Sequence, residues 1–257
     1  MNFQSLNSAT PNGFSIGIFG DGGVGKTTLL GSIPEDKLLY ISIEGGEDTI
    51  RQYSNPRVHV PPKPTPKEPF CFKDSLDEVY TYLRTEKHDF SFIAIDSASE
   101  LEKYFQFMYA FSMGKDIASL REYGQASEIV YKYITQFRDL KNPSNNACGR
   151  PINTIFILLE FPLEINRTEG GEITTKISPL LTKKLSSKVT AMVDVMTRLE
   201  VSTGGQRSLR FQPTANVTAK TRFNCLPALL PMKDKSFSFY NEVVIPIGKE
   251  IMSYKRS

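Results

Sequence analysis

The sequence predicts an α/β fold in which a mostly parallel sheet carries helices on both faces. Four apolar runs alternate with helical patterns, at residues 14–19, 37–43, 90–95 and 154–159. Alternation of this kind is typical of βαβ units, whose strands are buried on both faces and therefore apolar throughout. After about Ser202 the runs become short and hairpin-like, which predicts a C-terminal β-hairpin extension.

The helices between these runs are indicated by apolar residues at helical spacing. Ser75 and Glu78 have the Ser-x-x-Glu form of a capping box and predict a helix that begins at Ser75. Further helices are predicted around residues 101–108 and 125–140, with their aromatic residues packed in the core.

Composition limits the classes of protein to consider. With 257 residues, 40% of them apolar, the chain can form one large domain, predicted as residues 1–225, and an extension, residues 226–257, packed on that domain or on a neighbouring subunit. The formal charge of +3 does not by itself indicate nucleic-acid binding. Three scattered cysteines and two histidines argue against a disulfide framework or a histidine metal site. No signal peptide or membrane span is expected, so the predicted location is the cytoplasm.

One short segment fits the phosphate-loop template G-x-x-x-x-G-K-[ST]. In this motif, backbone N–H groups of a glycine-rich turn converge on phosphate oxygens. Lys26 would reach the β- and γ-phosphates of ATP, and the Thr27 hydroxyl would ligate Mg²⁺. The predicted nucleotide-binding residues are Gly20, Asp21, Gly22, Gly23, Val24, Gly25, Lys26, Thr27 and Thr28.

Acidic residues follow three of the predicted strands, where ligands bind in open α/β sheets. Asp96 is expected to hold the Mg²⁺ shell. Glu44 is the candidate that positions the attacking water, with Glu47 and Asp48 as rivals in the same turn. Glu160 is predicted to sense the γ-phosphate or to couple it to the following segment.

Lys220 and Arg222 stand two residues apart, so on a strand they would share one face. Two cations on one face could reach the γ-phosphate in a neighbouring subunit. A solvated strand face is the alternative interpretation of this pair.

The order of these motifs resembles the RecA-like branch of P-loop ATPases. The segments are "GDGGVGKT", "YISIEGGED", "FIAIDSASEL" and "FILLE", and the likeness covers residues 14–225. The likeness is strongest to the AAA-type phage nucleotide-binding proteins and the Sak-group recombination proteins, through "EYGQAS", "KISPLLTKKLSSKV", "MVDVMTRLEV" and "TAKTR".

This resemblance implies a RecA-like P-loop NTPase core with Asp96 as the Walker B acid and Glu44 as the catalytic glutamate. Lys220 and Arg222 would be paired fingers acting in trans. The usual RecA pattern has an amide where this chain has Glu160.

The resemblance also implies a Mg²⁺-dependent ATPase of phage DNA recombination or replication, stimulated by single-stranded DNA and assembled on it as a homo-oligomer. Residues 161–188 would form a mobile DNA-binding loop. Its candidate DNA contacts are the basic residues Arg167, Lys176, Lys183, Lys184 and Lys188.

The alternative is a nucleotide-gated adaptor or loader that acts on another protein, such as a single-strand-binding or annealing protein. The low net charge and the lack of a separate DNA-binding domain favour this reading. A partition-type ATPase is disfavoured because Asp21 replaces the extra lysine of that loop. A GTPase is disfavoured because no Asn/Thr-Lys-x-Asp motif is present, and no lid or acceptor pocket of a small-molecule kinase is visible.

Overall fold

The computed structural model describes residues 11–167, 173–233 and 236–254, with side chains described outside 163–174. Strands and helices alternate through the first two thirds of the chain. The strands are β1 (Ser15–Gly20), β2 (Leu38–Ser42), β3 (Arg57–His59), β4 (Phe92–Asp96), β5 (Asn153–Arg167), β6 (Ile173–Pro179), β7 (Val195–Val201), β8 (Arg207–Arg210), β9 (Lys220–Thr221) and β10 (Leu229–Met232).

The helices lie between these strands and after the last of them. They are α1 (Lys26–Leu30), α2 (Glu47–Arg51), α3 (Cys71–Thr85), α4 (Ala98–Ser112), α5 (Leu120–Asp139), α6 (Lys183–Met192) and α7 (Ile245–Ser253). A π-helical turn, Tyr240–Val244, leads into α7. None of the helices in the described ranges has the length and apolar character that crossing a bilayer requires.

The main sheet has the order β10-β8-β7-β1-β5-β4-β2-β3. The six strands from β7 to β3 are parallel to their neighbours, whereas β8, β9 and β10 are added antiparallel on the β7 side. The predicted α/β fold with a mostly parallel sheet is therefore confirmed. β1, β2 and β4 end at one edge of the sheet, and β5 leaves the sheet at the same edge, after Leu159. The acidic candidates Asp96, Glu44 and Glu160 therefore lie along this edge.

Helices cover both faces because the central strands are apolar at consecutive positions. On β1, Phe19 belongs to the core under α3, α4, α5 and α6. Ile16 and Ile18 belong to the opposite core, which α1, α2 and the C-terminal helical segment cover. At roughly 25 cal/mol per Å² of buried apolar surface, these two cores are the main stabilising contribution to the fold.

The predicted start of α3 is wrong. The helix begins at Cys71, so Ser75 lies inside it, where its hydroxyl contacts Nε2 of His59 at 2.8 Å. A reciprocal capping box is instead formed by Ser119 and Glu122 at the start of α5. The Ser-x-x-Glu pattern occurs at both places. It caps a helix only where the serine itself has a non-helical backbone, as Ser119 does with φ −93° and ψ 175°.

The segment predicted as a loop over residues 161–188 contains regular structure instead. β5 continues past the sheet and pairs antiparallel with β6, from Glu160 opposite Pro179 to Arg167 opposite Ile173. Helix α6 follows this hairpin. The reason is a two-residue apolar period at Phe161, Leu163 and Ile165 that leads to a Gly-Gly pair, a hairpin signal that the basic residues nearby had obscured.

Helix α6 is attached to the core through a buried carboxylate on α4. Glu102, 7% exposed, accepts hydrogen bonds from the Thr182 backbone N–H at 3.0 Å and from the Ser127 hydroxyl at 2.5 Å. A carboxylate at the first turn of a helix is stabilised by the unpaired N–H groups there. The junction between the hairpin and α6 is thereby held in place against α4 and α5.

Candidate functional site

The phosphate loop leaves the end of β1 through glycines in conformations that other residues adopt at a cost. Gly23 and Gly25 have φ values of 74° and 103°. At Gly20 the reason is close packing, because a Cβ there would lie 2.5 Å from the carbonyl oxygen of Leu199. These glycines allow the backbone conformation of the phosphate loop in the absence of a bound ligand.

Lys26 is almost fully buried beneath this loop. Its Nζ donates to the carbonyl oxygens of Gly20 at 2.9 Å and of Asp21 at 2.7 Å. Burial lowers the pKa of Lys26, while Asp96, Glu44, Glu160 and Asp21 oppose that shift. These carboxylates stabilise a positive charge where ATP phosphates would lie.

The hydroxyl of Thr27 and the carboxylate of Asp96 are in direct contact. Thr27 Oγ1 donates to Asp96 Oδ2 at 2.6 Å, and the hydroxyl of Tyr40 donates to the same oxygen at 2.9 Å. Because the Thr27 hydroxyl donates its hydrogen to Asp96, the lone pairs of Oγ1 can bind a cation. The peptide bond between Asp96 and Ser97 is cis.

These oxygen donors fit Mg²⁺, which takes one or two protein ligands and completes its octahedron with water and substrate phosphates. Asp96 is 4% exposed, and burial raises its pKa although Thr27 and Tyr40 donate to it. A cation beside the carboxylate would offset that burial. Across the described ranges no cluster of three His, Cys, Asp or Glu residues could hold a metal by itself.

Glu44 follows β2 and lies at the mouth of the same cleft. The cleft holds ≈ 420 Å³ and is lined by the phosphate loop, Glu44, Gly45, Gly46, Thr49, Asp96 and Leu159. The backbone N–H of Glu44 donates to the carbonyl of Asp96 at 3.2 Å. Neither rival, Glu47 nor Asp48, lines the cleft, and Asp48 is paired with Arg51 at 3.3 Å. The geometry therefore favours Glu44 among the three acids.

Glu160 has an arginine partner that the sequence did not indicate. Arg198 on β7 binds it in a bidentate pair, with Nε and Nη2 2.8 and 3.0 Å from the carboxylate oxygens. Because β7 and β5 flank β1, this pair spans the end of the strand that carries the phosphate loop. Glu160 is also the first residue of β5 that pairs with β6, opposite Pro179. The same residue therefore lies at the edge of the site and at the base of the hairpin.

Lys220 and Arg222 lie at the opposite edge of the sheet from the phosphate loop. β9 pairs with Val195 and Met196, which are level with Ile16 and Gly17 near the start of β1. The Lys220 ammonium donates to the carbonyls of the last turn of α6 and the residue after it, Thr190, Ala191 and Val193. Its pKa is lowered by burial and by the charge of Arg222.

Arg222 has a different partner and more exposure. It pairs with Asp194 at 3.0 Å, and its side chain is 55% exposed. Asp194 also binds Lys141 at 2.5 Å and the backbone N–H and hydroxyl of Ser15. Within one subunit, then, both cations of the predicted finger pair have structural partners.

The predicted DNA contacts differ in their surroundings. Lys183 and Lys184 are exposed on the first turn of α6, and Lys176 is half-buried on β6. Lys188 packs between α5 and α6, 4.7 Å from the Tyr131 ring centroid and 3.4 Å from Glu128. The side chain of Arg167 lies outside the described residues.

Two more residues near the site are not predicted by the sequence. Tyr40 is buried in β2 and supports Asp96, and Arg207 at the start of β8 donates from Nε to the Val24 carbonyl at 2.9 Å. Neither has a local sequence signal, because each reaches the site across the sheet.

A parallel sheet whose first strand opens into a phosphate loop, with a hydroxyl and a carboxylate together beside it, defines the chain as an ATP-binding P-loop ATPase. The family model of the AAA domain matches residues 12–223, and the chain belongs to that family.

Among solved structures, the chain is similar to a prototypical ATPase from the type III secretion system of pathogenic bacteria, at 16% identity and a TM-score of 0.42. The match covers 74% of this chain and 51% of that one, so the chain spans about half the length of that ATPase. No curated protein matches it.

Proposed function

We propose that the chain is a phage-encoded, RecA-like, Mg²⁺-dependent ATPase that assembles on single-stranded DNA as a homo-oligomer in recombination or replication. The observation that carries this proposal is the position of the β5–β6 hairpin. It grows out of the sheet at Glu160, one residue after Leu159, which pairs with the last residue of β1. The hairpin that we propose to contact DNA thus begins at the edge of the nucleotide site.

The site residues divide the chemistry of hydrolysis between them. Lys26 would bind the β- and γ-phosphates, and Thr27 and Asp96 would hold Mg²⁺, which when bound would supply charge neutralisation on the transferring phosphoryl group. Glu44 accepts a proton from a water that attacks the γ-phosphorus, while the bond to the bridging oxygen breaks and ADP leaves.

Coupling to the hairpin would pass through Glu160. Its carboxylate contributes to the charge that acts on Lys26 and is held by Arg198. A γ-phosphate bound at Lys26 would compete with Glu160 for the positive charge of Lys26. The strength of the interaction between Glu160 and Arg198 would then change. A ligand shifts an equilibrium by its differential affinity for the two states, so the hairpin position would respond to ATP.

The trans role of Lys220 and Arg222 stays part of the proposal. Both residues lie at the sheet edge opposite the phosphate loop of their own subunit. The nucleotide site that they would contact is therefore that of a neighbouring subunit. Arg222 suits this role better, because its exposed guanidinium has donors beyond the bond to Asp194. Lys220 already directs its ammonium at three carbonyls.

The primary test measures the ATPase rate with and without single-stranded DNA, alongside the particle mass by light scattering. We expect stimulation by DNA together with growth of the particle. A rate and a mass that DNA leaves unchanged would refute the assembly on single strands.

A second measurement addresses the DNA contacts. The double variant Lys183→Gln/Lys184→Gln should reduce the dependence of the logarithm of DNA affinity on the logarithm of salt by about 0.7 per lysine. The matched control, Lys67→Gln/Lys87→Gln, removes two exposed lysines away from the hairpin and should leave that dependence unchanged. Equal effects of both pairs would contradict a contact at α6.

An exposed apolar cluster favours the second candidate function, an adaptor or loader for another protein. The cluster lies between α4 and α5 and on the start of α5, with exposed fractions of 44% at Met113, 80% at Ile117, 92% at Leu120 and 43% at Tyr123. Clustered apolar side chains of this kind mark protein contacts. Retention of a purified single-strand-binding or annealing protein, lost in Ile117→Ser/Leu120→Ser, with no direct DNA shift, would favour the adaptor.

A further inference from the structure

Arg207 is held at the phosphate loop by its own strand. It is the first residue of β8 and follows a tight turn in which the Ser202 backbone N–H donates to the Gln206 carbonyl at 2.9 Å. Its backbone pairs with Val201 on β7 and with Met232 on β10. Because the backbone of Arg207 is paired on both sides, binding a ligand requires no ordering of this backbone.

The side chain points to the helix α1 face of the sheet. Residues two apart on a strand share a face, and Leu209 lies in the core that contains Leu29 and Leu30. On that face, Nε of Arg207 donates to the Val24 carbonyl at 2.9 Å. A Cβ at Gly25 would lie 3.8 Å from this Nε and 3.9 Å from the Thr28 hydroxyl, so Arg207 and Thr28 border the same space.

Within the described ranges, the other donors of this guanidinium make no hydrogen bond and can meet a ligand. Arginine has five N–H donors, and the contact with Val24 uses one of them. Over the described part of the chain, Arg207 forms no ion pair, whereas Arg198, Arg210 and Arg222 each pair with a carboxylate. An exposed cation at a phosphate loop is suited to an anion.

The sheet order tells which end of the nucleotide would meet Arg207. β5, β4 and β2 lie on one side of β1 and bring Asp96 and Glu44 to the site, whereas β7 and β8 lie on the other side. A nucleotide whose γ-phosphate faces Asp96 and Glu44 therefore extends its α-phosphate and ribose towards Thr28 and β8. Arg207 lies outside the lining of the described cleft, beside Gly25, and Lys26 is the single cation among the residues that line it.

We propose that Arg207 is a nucleotide-binding residue of its own subunit, which donates to the α-phosphate and ribose end of ATP while its Nε holds the phosphate loop. The inference rests on the ATP site of the proposed function but not on DNA or assembly. It adds to Lys26 a second cation in the same subunit, distinct from the fingers predicted in trans.

The test measures the dissociation constants of MgADP and of a non-hydrolysable MgATP analogue by calorimetry. Arg207→Gln should weaken both by about ten-fold or more, because a charged hydrogen-bond donor is lost. Lys233→Gln is the matched control, since it removes an exposed cation next to Met232 at the same sheet edge and should change neither constant. The nucleotide-free melting temperature of Arg207→Gln should fall by no more than about 1–2 °C, since an exposed side chain with one hydrogen bond to the loop is changed.

Three results with Arg207→Gln would overturn the proposal. Unchanged affinities would remove Arg207 from the site, and a lost turnover with unchanged MgADP affinity would place it at the γ-phosphate instead. A nucleotide-free melting temperature several degrees lower would make it a structural residue. A wild type that binds neither nucleotide would remove the proposed function as well, whereas nucleotide binding without a DNA response would remove only the DNA part.

Discussion

The hydroxyl of Thr27 donates a 2.6 Å hydrogen bond to the carboxylate of Asp96, although 69 positions separate the two residues in the chain. The contact exists because β1 and β4 both flank β5, so the phosphate loop and the end of β4 reach the same edge of the sheet. It joins the two protein oxygens that suit Mg²⁺ and places them beside Lys26.

Replacing Asp96 should separate activity from stability. Because burial raises the pKa of Asp96 above the ordinary 3.8, its ionised form is less favourable in the folded than in the unfolded chain, and this cost is present at neutral pH. Asp96→Asn should therefore raise the melting temperature by about 2–4 °C and reduce Mg²⁺-dependent hydrolysis roughly 100-fold or more. Calorimetry and a phosphate-release assay measure both, with exposed Asp74→Asn as the control. A lower melting temperature would contradict the cost of burial.

Tyr40 should act by positioning Asp96. Tyr40→Phe removes the hydroxyl that donates to Oδ2, so the carboxylate has one restraint fewer. We expect the Mg²⁺ concentration for half-maximal ATPase to rise about ten-fold, as for outer-shell partners of metal ligands. Tyr104→Phe is the matched control, since its hydroxyl donates to the Ile43 carbonyl at 3.4 Å and, among the described contacts, not to Asp96. A lower rate at saturating Mg²⁺ with the same half-maximal concentration would argue against positioning.

Glu44 should be needed for the chemical step and not for binding. Glu44→Gln keeps the size of the side chain but cannot take a proton from water, so the turnover number should fall by about 100-fold or more. The dissociation constant of MgADP should change little. Glu47→Gln tests the rival in the same turn and should retain turnover, because Glu47 does not line the cleft. If Glu47→Gln were the inactive variant, the assignment would be reversed.

Asp194 should make the fold sensitive to acid. Burial alone would raise its pKa, but Lys141 and Ser15 donate to the carboxylate and hold the pKa below 3.8. The stabilisation is complete above the ordinary pKa and is lost as the pH falls through the folded-state pKa. Asp194→Asn should lower the free energy of unfolding by roughly 3–5 kcal/mol at pH 7 and flatten its fall between about pH 5 and 2. Urea titrations measure this, with Asp89→Asn as an exposed control.

Lys220 should contribute to stability through helix α6. Lys220→Met keeps the aliphatic stem but removes the donors to the Thr190, Ala191 and Val193 carbonyls. The expected loss is about 1–2 kcal/mol, seen as a lower melting temperature. Lys249→Met, an exposed lysine on α7, is the control.

A trans role for Lys220 has a separate test. Lys220→Ala and Asp96→Ala proteins should each be inactive alone and regain ATPase when mixed, if the two residues serve one site from different subunits. No recovery at any ratio, with oligomers confirmed, would leave Lys220 with its structural role alone.

The sequence was most informative where the chemistry is local. The phosphate loop is a contiguous motif whose glycines satisfy local backbone angles, and the buried strands are contiguous apolar runs. Asp96 and Glu44 could be placed at one edge because the carboxyl ends of parallel strands meet there. Residues 161–188 carry the alternation of a hairpin, but the basic residues beside it are equally typical of a loop, so the sequence alone predicts the wrong structure there.

Contacts between distant segments required the tertiary structure. Arg198 meets Glu160 across the end of β1, Arg207 reaches Val24 from β8, and Lys220 caps α6 rather than standing free. The two residues of each contact are far apart in sequence. From the sequence alone, the same charged residues could equally lie on a solvated surface. Local backbone requirements and apolar periodicity are written along the chain, so the sequence by itself determined the sheet and the loop that opens on it. Which charge meets which depends on strand order and register, and only the folded sheet decided that.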